Sequence, residues 1–232
     1  MDRDDVPESD LRASLAFIRR VNALLGYTRA TLSHLNRFAQ AWTPGATIHL
    51  IDFATGSGDI PHAILRWARR TGRDVRIVGI DRHGLTARLA TQLAPDPRLS
   101  IARADALAAP FADGSFDYAL TAMFLHHLSD DDVVRTLREM DRVARRGIIV
   151  ADLLRNRRAW MWITVLTAPA APMIRHDARI SVEQAFTKRE VLALRARGGV
   201  EYTTYSRHFG HRFVLAGDKP ASDTLSLSAA RG

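Results

Sequence analysis

Short apolar runs alternate with amphipathic stretches through the middle of the chain. The apolar runs predict strands over 48–52, 74–81, 99–103, 116–121 and 147–153. Helical spacing of apolar residues follows most of these runs, as in 63–70 and 84–94. Strands that alternate with helices are typical of an α/β fold with a parallel sheet, and the fully apolar fifth run predicts a central strand.

Both ends of the chain depart from this alternation. Two helices are predicted before the first strand, from Asp10 to Gly26 and then through 32–42, with residues 1–9 disordered. Near the other end, Thr187 and Glu190 have the spacing of a capping box and predict a helix over 188–197. The alternating stretches 201–207 and 211–216 predict a closing antiparallel hairpin, and residues 218–232 are expected to be a disordered tail.

A glycine turn follows the first predicted strand. Gly56 and Gly58 allow positive φ and a close approach of the backbone to a ligand, and Asp59 is the predicted N-cap of the next helix. A dinucleotide site would need a third glycine three residues after Gly58, where Pro61 stands. Asp52 would repel a phosphate at this turn but suits a cationic ligand with an amino-acid moiety.

Carboxylates follow the next two strands as well. Asp81 lies just over twenty residues past the turn, where a βαβ unit delivers a carboxylate to the ribose hydroxyls of a nucleotide. Asp105 comes directly after the third strand. Because the carboxyl ends of parallel strands share one edge of a sheet, Asp52, Asp81 and Asp105 are expected together around a nucleoside-type ligand.

The stretches ATGSGDIP, PFADGSFD, FLHHL and REMDRVARRG resemble the class I S-adenosylmethionine-dependent methyltransferases. The similarity covers residues 45–155 and is nearest to the ubiquinone/menaquinone-biosynthesis type and to small-molecule methyltransferases of natural-product clusters. Ala54 stands where the family's first motif usually has a glycine. The resemblance implies a Rossmann-like fold: a mostly parallel seven-stranded sheet with helices on both faces, a C-terminal antiparallel hairpin and an N-terminal helical cap.

The resemblance also implies S-adenosylmethionine as the cofactor and S-adenosylhomocysteine as the product. Asp81 would bind the ribose, and Asp105 with a neighbouring backbone N–H would read the adenine. The full set of cofactor-binding residues expected from the motifs is Asp52, Ala54, Thr55, Gly56, Gly58, Asp81, Arg82, Asp105, Ala106 and Thr121.

Methyl transfer to a hydroxyl needs a base, and histidines follow the fourth strand, where the transferred methyl group sits in this fold. His127 and His126 are candidate bases because an imidazole titrates near neutral pH, although either could instead pack or cap backbone. His176 is a third candidate. Substrate contacts are expected from the N-terminal helices, 123–127 and 155–180, specifically from Met123, Phe124, Trp160, Arg175 and Asp177.

The predicted organisation is one domain with appended segments. Residues 1–44 form the helical cap, 45–155 the cofactor-binding core, and 156–217 a substrate-lid segment with the closing hairpin. The apolar stretch 159–174 is too short and too rich in proline to span a membrane, and it is either a lid, a core helix or a peripheral membrane contact.

Composition removes several classes of site. The chain has no cysteine, which excludes disulfides, zinc–thiolate sites and thiol catalysis, and no metal-ligand spacing is found. The net charge of +8 comes almost entirely from arginine, which favours solvated helix faces, with nucleic acid or an anionic membrane surface as the alternatives. The acidic first residues lack a signal-peptide pattern, so a cytoplasmic location is expected.

The sequence therefore predicts a methyltransferase of a small aromatic or polyketide-like acceptor, with oxygen slightly favoured over carbon as the methylated atom. An RNA methyltransferase is the first alternative, but no Asn-Pro-Pro-Tyr type motif follows the fourth strand, so nucleic acid is disfavoured. An NAD-dependent dehydrogenase and a non-catalytic partner subunit are the others. Either a monomer or a homodimer is compatible with the sequence.

Overall fold

Seven strands form one sheet in a computed structural model, which describes residues 26–93, 95–168, 172–209 and 211–220. The strands are β1 (Thr47–Phe53), β2 (Asp74–Asp81), β3 (Leu99–Arg103), β4 (Phe116–Ala122), β5 (Ala144–Leu153), β6 (Thr204–His208) and β7 (Arg212–Asp218). The helices are α1 (Tyr27–Phe38), α2 (Asp59–Arg70), α3 (Gly84–Leu93), α4 (Asp130–Val143), α5 (Arg157–Leu166), α6 (Pro172–Gln184) and α7 (Lys188–Arg197).

The order of strands across the sheet is β3-β2-β1-β4-β5-β7-β6. The first five strands are parallel, and β7 runs antiparallel between β5 and β6. The chain reverses direction in the sheet order after β3, so the carboxyl ends of β1 and β4 flank the switch point where this class of sheet binds ligands. The predicted mostly parallel α/β sheet with a C-terminal antiparallel hairpin is confirmed.

Helices pack on both faces of the sheet. The central strands carry apolar side chains on each face, so both faces must be covered. One face buries Tyr27, Leu35 and Phe38 of α1 together with Ile64 of α2. The other face buries apolar side chains of α4 and α7, namely Val133, Leu137, Met140, Val191 and Leu194. The core therefore holds the sheet rigidly between two helical layers, which leaves the strand ends as the available place for chemistry.

The fifth strand begins earlier than its apolar pattern predicts. It starts at Ala144 rather than Gly147, so Arg145 and Arg146 lie on a strand and not on the outer face of α4 as their helical spacing suggested. The side chain of Arg145 donates to the buried carboxylate of Asp117 at 3.0 Å. Asp117 belongs to β4, so this contact between distant parts of the sequence extends β5.

The helical part before β1 is confirmed where the structure describes it. The helix from Asp10 falls almost entirely within residues 1–25, outside the described residues, and the second helix is α1, which starts at Tyr27 and so earlier than predicted. Its last turn stacks the Phe38 ring on Tyr118 with centroids 5.1 Å apart. The indole of Trp42 donates to the Tyr118 hydroxyl at 3.2 Å, so this segment is anchored to the sheet.

The segment after β5 forms two helices, α5 and α6, on either side of residues 169–171, which lie outside the described ranges. The capping box of α7 is confirmed, with Thr187 accepting from the N–H of Glu190 and Glu190 accepting from the N–H of Thr187. The tail was predicted from residue 218, but Asp218 ends β7 and the Lys219 N–H donates to the Arg146 carbonyl. Residues 221–232 lie outside the described part. No helix within the described ranges is both long enough and apolar enough to cross a membrane.

Candidate cofactor and acceptor site

The turn after β1 carries the backbone geometry that its glycines predicted. Gly56 and Gly58 have φ of 55° and 72°, and Ala54 also has a positive φ of 54°. The turn is closed by a hydrogen bond from the Gly58 N–H to the Thr55 carbonyl at 2.9 Å. Gly58 is the N-cap of α2 and Asp59 its first residue, so the prediction of Asp59 as the cap was wrong by one position.

Asp52 is buried at the end of β1 and bonded only locally. The Thr55 hydroxyl donates to its carboxyl at 2.7 Å, and 2 % of the Asp52 surface is exposed. Burial, reinforced by Asp59 and Asp81 and opposed by the Thr55 hydrogen bond, raises the pKa of Asp52 to about 8. A cation placed beside this carboxyl would favour its ionised form, so the site fits the ammonium group of the amino-acid part of S-adenosylmethionine.

Asp81 lies at the end of β2 and organises the turn. Its carboxylate accepts from the Gly56 N–H at 3.0 Å and from the His83 N–H at 2.9 Å. A carboxylate oxygen can accept two hydrogen bonds, and Asp81 is half-buried. Its carboxylate can therefore also accept from two ribose hydroxyls. The neighbouring Arg82 is exposed, and its carbonyl accepts from Arg103 at 3.1 Å.

The loop after β3 carries Asp105, which is exposed and accepts from the Leu107 N–H at 2.9 Å. Ala106 next to it is buried. Arg142 of α4 braces the far part of this loop by donating to the carbonyls of Ala109 and Phe111 at 2.9 and 2.8 Å. The loop is thus held in place from outside, which fits a surface that orients an adenine ring.

The strand register brings these three carboxyls to one edge of the sheet. Asp52 pairs with Gly79 one strand away, and Asp81 pairs with Arg103, two residues before Asp105. A Cβ at Gly79 would lie 2.8 Å from the Thr55 hydroxyl, so this glycine lets the turn approach β2. The predicted cofactor residue Thr121 uses its hydroxyl to donate to the Phe53 carbonyl at 2.9 Å and faces β1.

The histidine segment after β4 contains a buried, hydrogen-bonded histidine–carboxylate dyad. The Nδ1 atom of His126 lies 2.7 Å from a carboxylate oxygen of Asp152, and each side chain is 1 % exposed. Burial alone would raise the pKa of Asp152, but His126 and the hydrogen bonds around the carboxylate hold that pKa below its usual range. Sequence reasoning missed Asp152, although it is a fourth carboxylate at the end of a predicted strand.

The other residues of this segment are more open. His127 is exposed, and its ring centroid lies 4.0 Å from that of His126. Met123 has a positive φ of 58° and donates its N–H to the Ala151 carbonyl at 2.9 Å, which fixes the segment against β5. Met123 and Phe124 are both half-buried at this edge. Their predicted roles in substrate binding stay predictions.

Helix α6 packs against the short 3₁₀ helix Leu125–His127 and therefore covers the histidine segment. His176 on α6 is exposed and Arg175 half-buried, while the side chain of Asp177 lies outside the described part of the structure. Trp160 of α5 donates its indole N–H to Glu183 at 3.2 Å and packs under Arg179. The indole is therefore held against α6.

Helix α5 also presents apolar side chains to solvent. Trp160, Met161 and Val165 are 39 %, 64 % and 68 % exposed. Exposed apolar residues on one helix suit either a membrane contact or a lid edge, so both interpretations of 159–174 stay predictions.

Beyond these predicted residues, the described ranges hold a cation that sequence reasoning did not identify. Arg212 begins β7 directly opposite Leu153 of β5 and is fully buried. Its guanidinium carbon lies 3.2 Å from the centre of the Tyr27 ring. Among the described residues, no group of three or more histidine and acidic side chains is placed to hold a metal ion.

Comparison with known proteins agrees with this geometry. A methyltransferase-domain family model matches residues 51–151. A 2-phytyl-1,4-naphtoquinone methyltransferase of Trichormus variabilis is 35 % identical over 119 residues, which are 48 % of this chain and 49 % of the relative. A demethylmenaquinone methyltransferase of a Roseiflexus species is 36 % identical over 103 residues, 44 % of this chain and 41 % of the relative. The matches therefore span about half the length of these curated relatives or less.

Solved structures match over more of the chain. Human N-acetylserotonin methyltransferase in complex with S-adenosylmethionine superposes with a TM-score of 0.64 at 14 % identity, covering 92 % of this chain and 56 % of that one. At this identity the similarity shows the fold alone. The predicted resemblance is confirmed over residues 51–151, which match a methyltransferase domain, and the chain has the fold of the class I S-adenosylmethionine-dependent methyltransferases. The predicted enzyme class and cofactor agree with these matches.

Proposed function

We propose that this protein transfers the methyl group of S-adenosylmethionine to a hydroxyl of a small aromatic, quinone-like acceptor, with His126 as the base. Two curated relatives are named as methyltransferases of a 2-phytyl-1,4-naphtoquinone and of demethylmenaquinone, which supports a quinone-like ring in the acceptor. The choice of oxygen rests on the histidine and not on these names. Oxygen is the favoured atom because a histidine base acts on a hydroxyl proton. The cofactor supplies an electrophilic methyl group when bound, and the protein must position the acceptor and remove a proton.

The observation that carries the proposal is the buried His126–Asp152 dyad at the end of β5, on the same edge of the sheet as the cofactor turn. Asp152 accepts from Nδ1 of His126 at 2.7 Å, which orients the ring. With Nδ1 bound in this way, Nε2 is the nitrogen that takes the proton. This division of roles is the same as in other histidine–carboxylate pairs that act in proton transfer.

The remaining residues bind and orient. Asp81 accepts from the ribose hydroxyls, Asp105 and the N–H of a neighbouring residue contact the adenine, and Asp52 lies toward the amino-acid part of the cofactor. Helix α6 covers the short helix that carries His126, which keeps water from the base. Water exclusion strengthens the electrostatic interaction between the dyad and the acceptor hydroxyl.

The first experiment is calorimetric titration with S-adenosylhomocysteine, with NAD titrated in parallel. Binding of the former alone identifies the cofactor, whereas binding of NAD alone overturns the proposal in favour of a dehydrogenase. The protein is then incubated with S-adenosylmethionine and 2-naphthol, and methylated product is measured by mass spectrometry. Product NMR distinguishes methylation of oxygen from methylation of carbon.

The role of the dyad is tested with His126→Asn, which keeps an N–H donor for Asp152 but cannot act as a base. Turnover should fall by about 10²- to 10⁴-fold, the usual contribution of a general base, with the affinity for S-adenosylhomocysteine unchanged. His127→Asn changes the exposed neighbour, the other candidate base, and should leave turnover unchanged; a loss confined to this variant would make His127 the base. Equal losses in both variants would show that the segment is structural. Methyl transfer to RNA but to no aromatic acceptor would favour an RNA methyltransferase. Cofactor binding without any methyl transfer would favour a non-catalytic partner subunit.

A further inference from the structure

The strongest unexplained feature outside the cofactor site is the buried guanidinium of Arg212. The residue is fully buried, and Nε, Nη1 and Nη2 all lack a hydrogen-bond partner in the part of the chain that the structure describes. An arginine carries five N–H donors, and burying a cation without partners is costly. Burial accordingly lowers the pKa of Arg212 to about 10, against the opposing influence of Tyr27 and Asp152.

A second unpartnered polar group lies beside this guanidinium. The Tyr27 ring stacks under Arg212, and the buried Tyr27 hydroxyl has no hydrogen-bond partner among the described residues. Tyr27 reaches this position because α1 begins at the tip of the closing hairpin, where a Cβ on Gly26 would lie 2.6 Å from the Phe209 ring. Two elements from opposite ends of the chain thus bring a cation and a hydroxyl donor together.

This pair lies at the same end of β5 as the proposed catalytic dyad, and its side chains lie on the opposite face of the sheet from Asp152, because successive residues of a strand alternate between faces. Arg212 pairs across the sheet with Leu153, the residue after Asp152. Burial is the largest cause of the raised pKa of Tyr27, and the charge of Asp152 adds to it. The same charge opposes the lowering of the pKa of Arg212 by burial. Asp152 therefore has His126 as its hydrogen-bonded partner and acts on the Arg212–Tyr27 pair through its charge.

We propose that Arg212 and Tyr27 bind an anionic oxygen of the methyl acceptor, a carboxylate or an ionised enol on its aromatic ring. This inference rests on the proposed function and adds the acceptor's charge to it. The bound oxygen is a different one from the hydroxyl that His126 deprotonates. Guanidinium donors form short, strong hydrogen bonds with oxyanions, and the apolar surroundings make such bonds stronger than they would be in water.

A purely structural Arg212 would have a different energetic signature. If its stacking on Tyr27 held the fold together, replacing the side chain by methionine would destabilise the protein. If the unpartnered cation is kept for an anionic ligand, Arg212→Met removes a desolvated charge while filling a similar volume, so the ligand-free variant melts at the same or a higher temperature than the wild type. Thermal unfolding of the full chain separates these cases.

The binding test uses matched pairs of probes on protein saturated with S-adenosylhomocysteine. Titration compares 3-hydroxy-2-naphthoate with 2-naphthol, and 2-hydroxy-1,4-naphthoquinone with 1,4-naphthoquinone. The first pair reports a carboxylate and the second an ionised enol, and the chain has no cysteine that a quinone would alkylate. We expect the anionic member of at least one pair to bind about 10- to 100-fold more tightly, as one or two charge-assisted hydrogen bonds allow.

Three variants and one control complete the test. Arg212→Met should abolish the preference for the anion, Arg212→Lys should restore part of it, and Tyr27→Phe should reduce it. Arg29→Met, at an exposed arginine of α1, should leave it unchanged. Equal binding of both members of both pairs, or an anion preference that survives in Arg212→Met, would overturn the inference. Methylation of 2-naphthol by the wild type would persist in that case, so the proposed function would stand without it.

Discussion

Replacing Asp52 by asparagine should stabilise the ligand-free protein, and the gain should grow with pH. Burial raises the pKa of this carboxyl from the ordinary 3.8 to about 8 in the folded chain. The unfolded chain therefore ionises Asp52 first, so its destabilising effect is absent below about pH 4, grows as the pH rises and levels off above about pH 8. Each pH unit within that window costs about 1.4 kcal/mol, or about 3 kcal/mol between pH 5 and 7.

The change is well suited to measurement because asparagine keeps an oxygen that accepts from Thr55. For a chain of this size about 1 kcal/mol corresponds to 2–4 °C, so the difference in Tm between Asp52→Asn and wild type should widen by about 6–12 °C from pH 5 to pH 7. Thermal unfolding at half-unit pH steps measures this directly, and other titrating groups cancel in the difference.

Asp96 provides the control, because its pKa is shifted in the opposite direction. The hydrogen bonds from Arg98 lower the pKa of Asp96 to about 2, so this carboxylate is ionised in both states between pH 5 and 8. The Tm difference between Asp96→Asn and wild type should therefore stay flat over that range. If the curve for Asp52→Asn were equally flat, Asp52 would be ionised in the folded chain, and the argument from burial would be wrong.

Two further changes test the ribose and capping assignments. Asp81→Asn should weaken binding of S-adenosylhomocysteine by about 10- to 100-fold in calorimetric titration, because charge-assisted hydrogen bonds to two hydroxyls become neutral ones; an unchanged Kd would remove Asp81 from the ribose site. Thr187→Ala should lower the free energy of unfolding by about 1 kcal/mol and the Tm by about 2–4 °C through loss of the α7 cap. Thr187→Ser, which keeps the hydroxyl, should melt within a degree or so of the wild type, and equal losses in both would show that the capping hydrogen bond contributes little.

The cofactor half was predictable because its signals are local. A glycine turn between a strand and a helix, and carboxylates that end consecutive strands, can be identified without knowing what packs where. The capping box at Thr187 is equally local, since the two residues that form it are three positions apart. Such elements depend on their neighbours in sequence, and the structure places them where the pattern indicated.

The acceptor side could not be predicted in the same way. Arg212 stands at the start of an alternating stretch, where an arginine is usually solvated, and only its packing on Tyr27 shows that it is buried. The early start of β5 likewise depends on Asp117 binding Arg145 across the sheet. Asp152 could have been predicted as a site residue, because it lies at the end of a predicted strand just as Asp52 and Asp81 do.

The topology separates the two tasks along the polypeptide. The matched methyltransferase domain, residues 51–151, contains the residues expected to hold the cofactor, whereas Tyr27 and Arg212 lie outside it on either side. If Tyr27 and Arg212 bind the acceptor as proposed, evolution can exchange the flanking segments and acquire a new acceptor while the cofactor-binding half stays intact. The same division guides engineering: a library diversified at positions 27 and 212 would explore acceptor choice while the cofactor-binding residues remain unchanged.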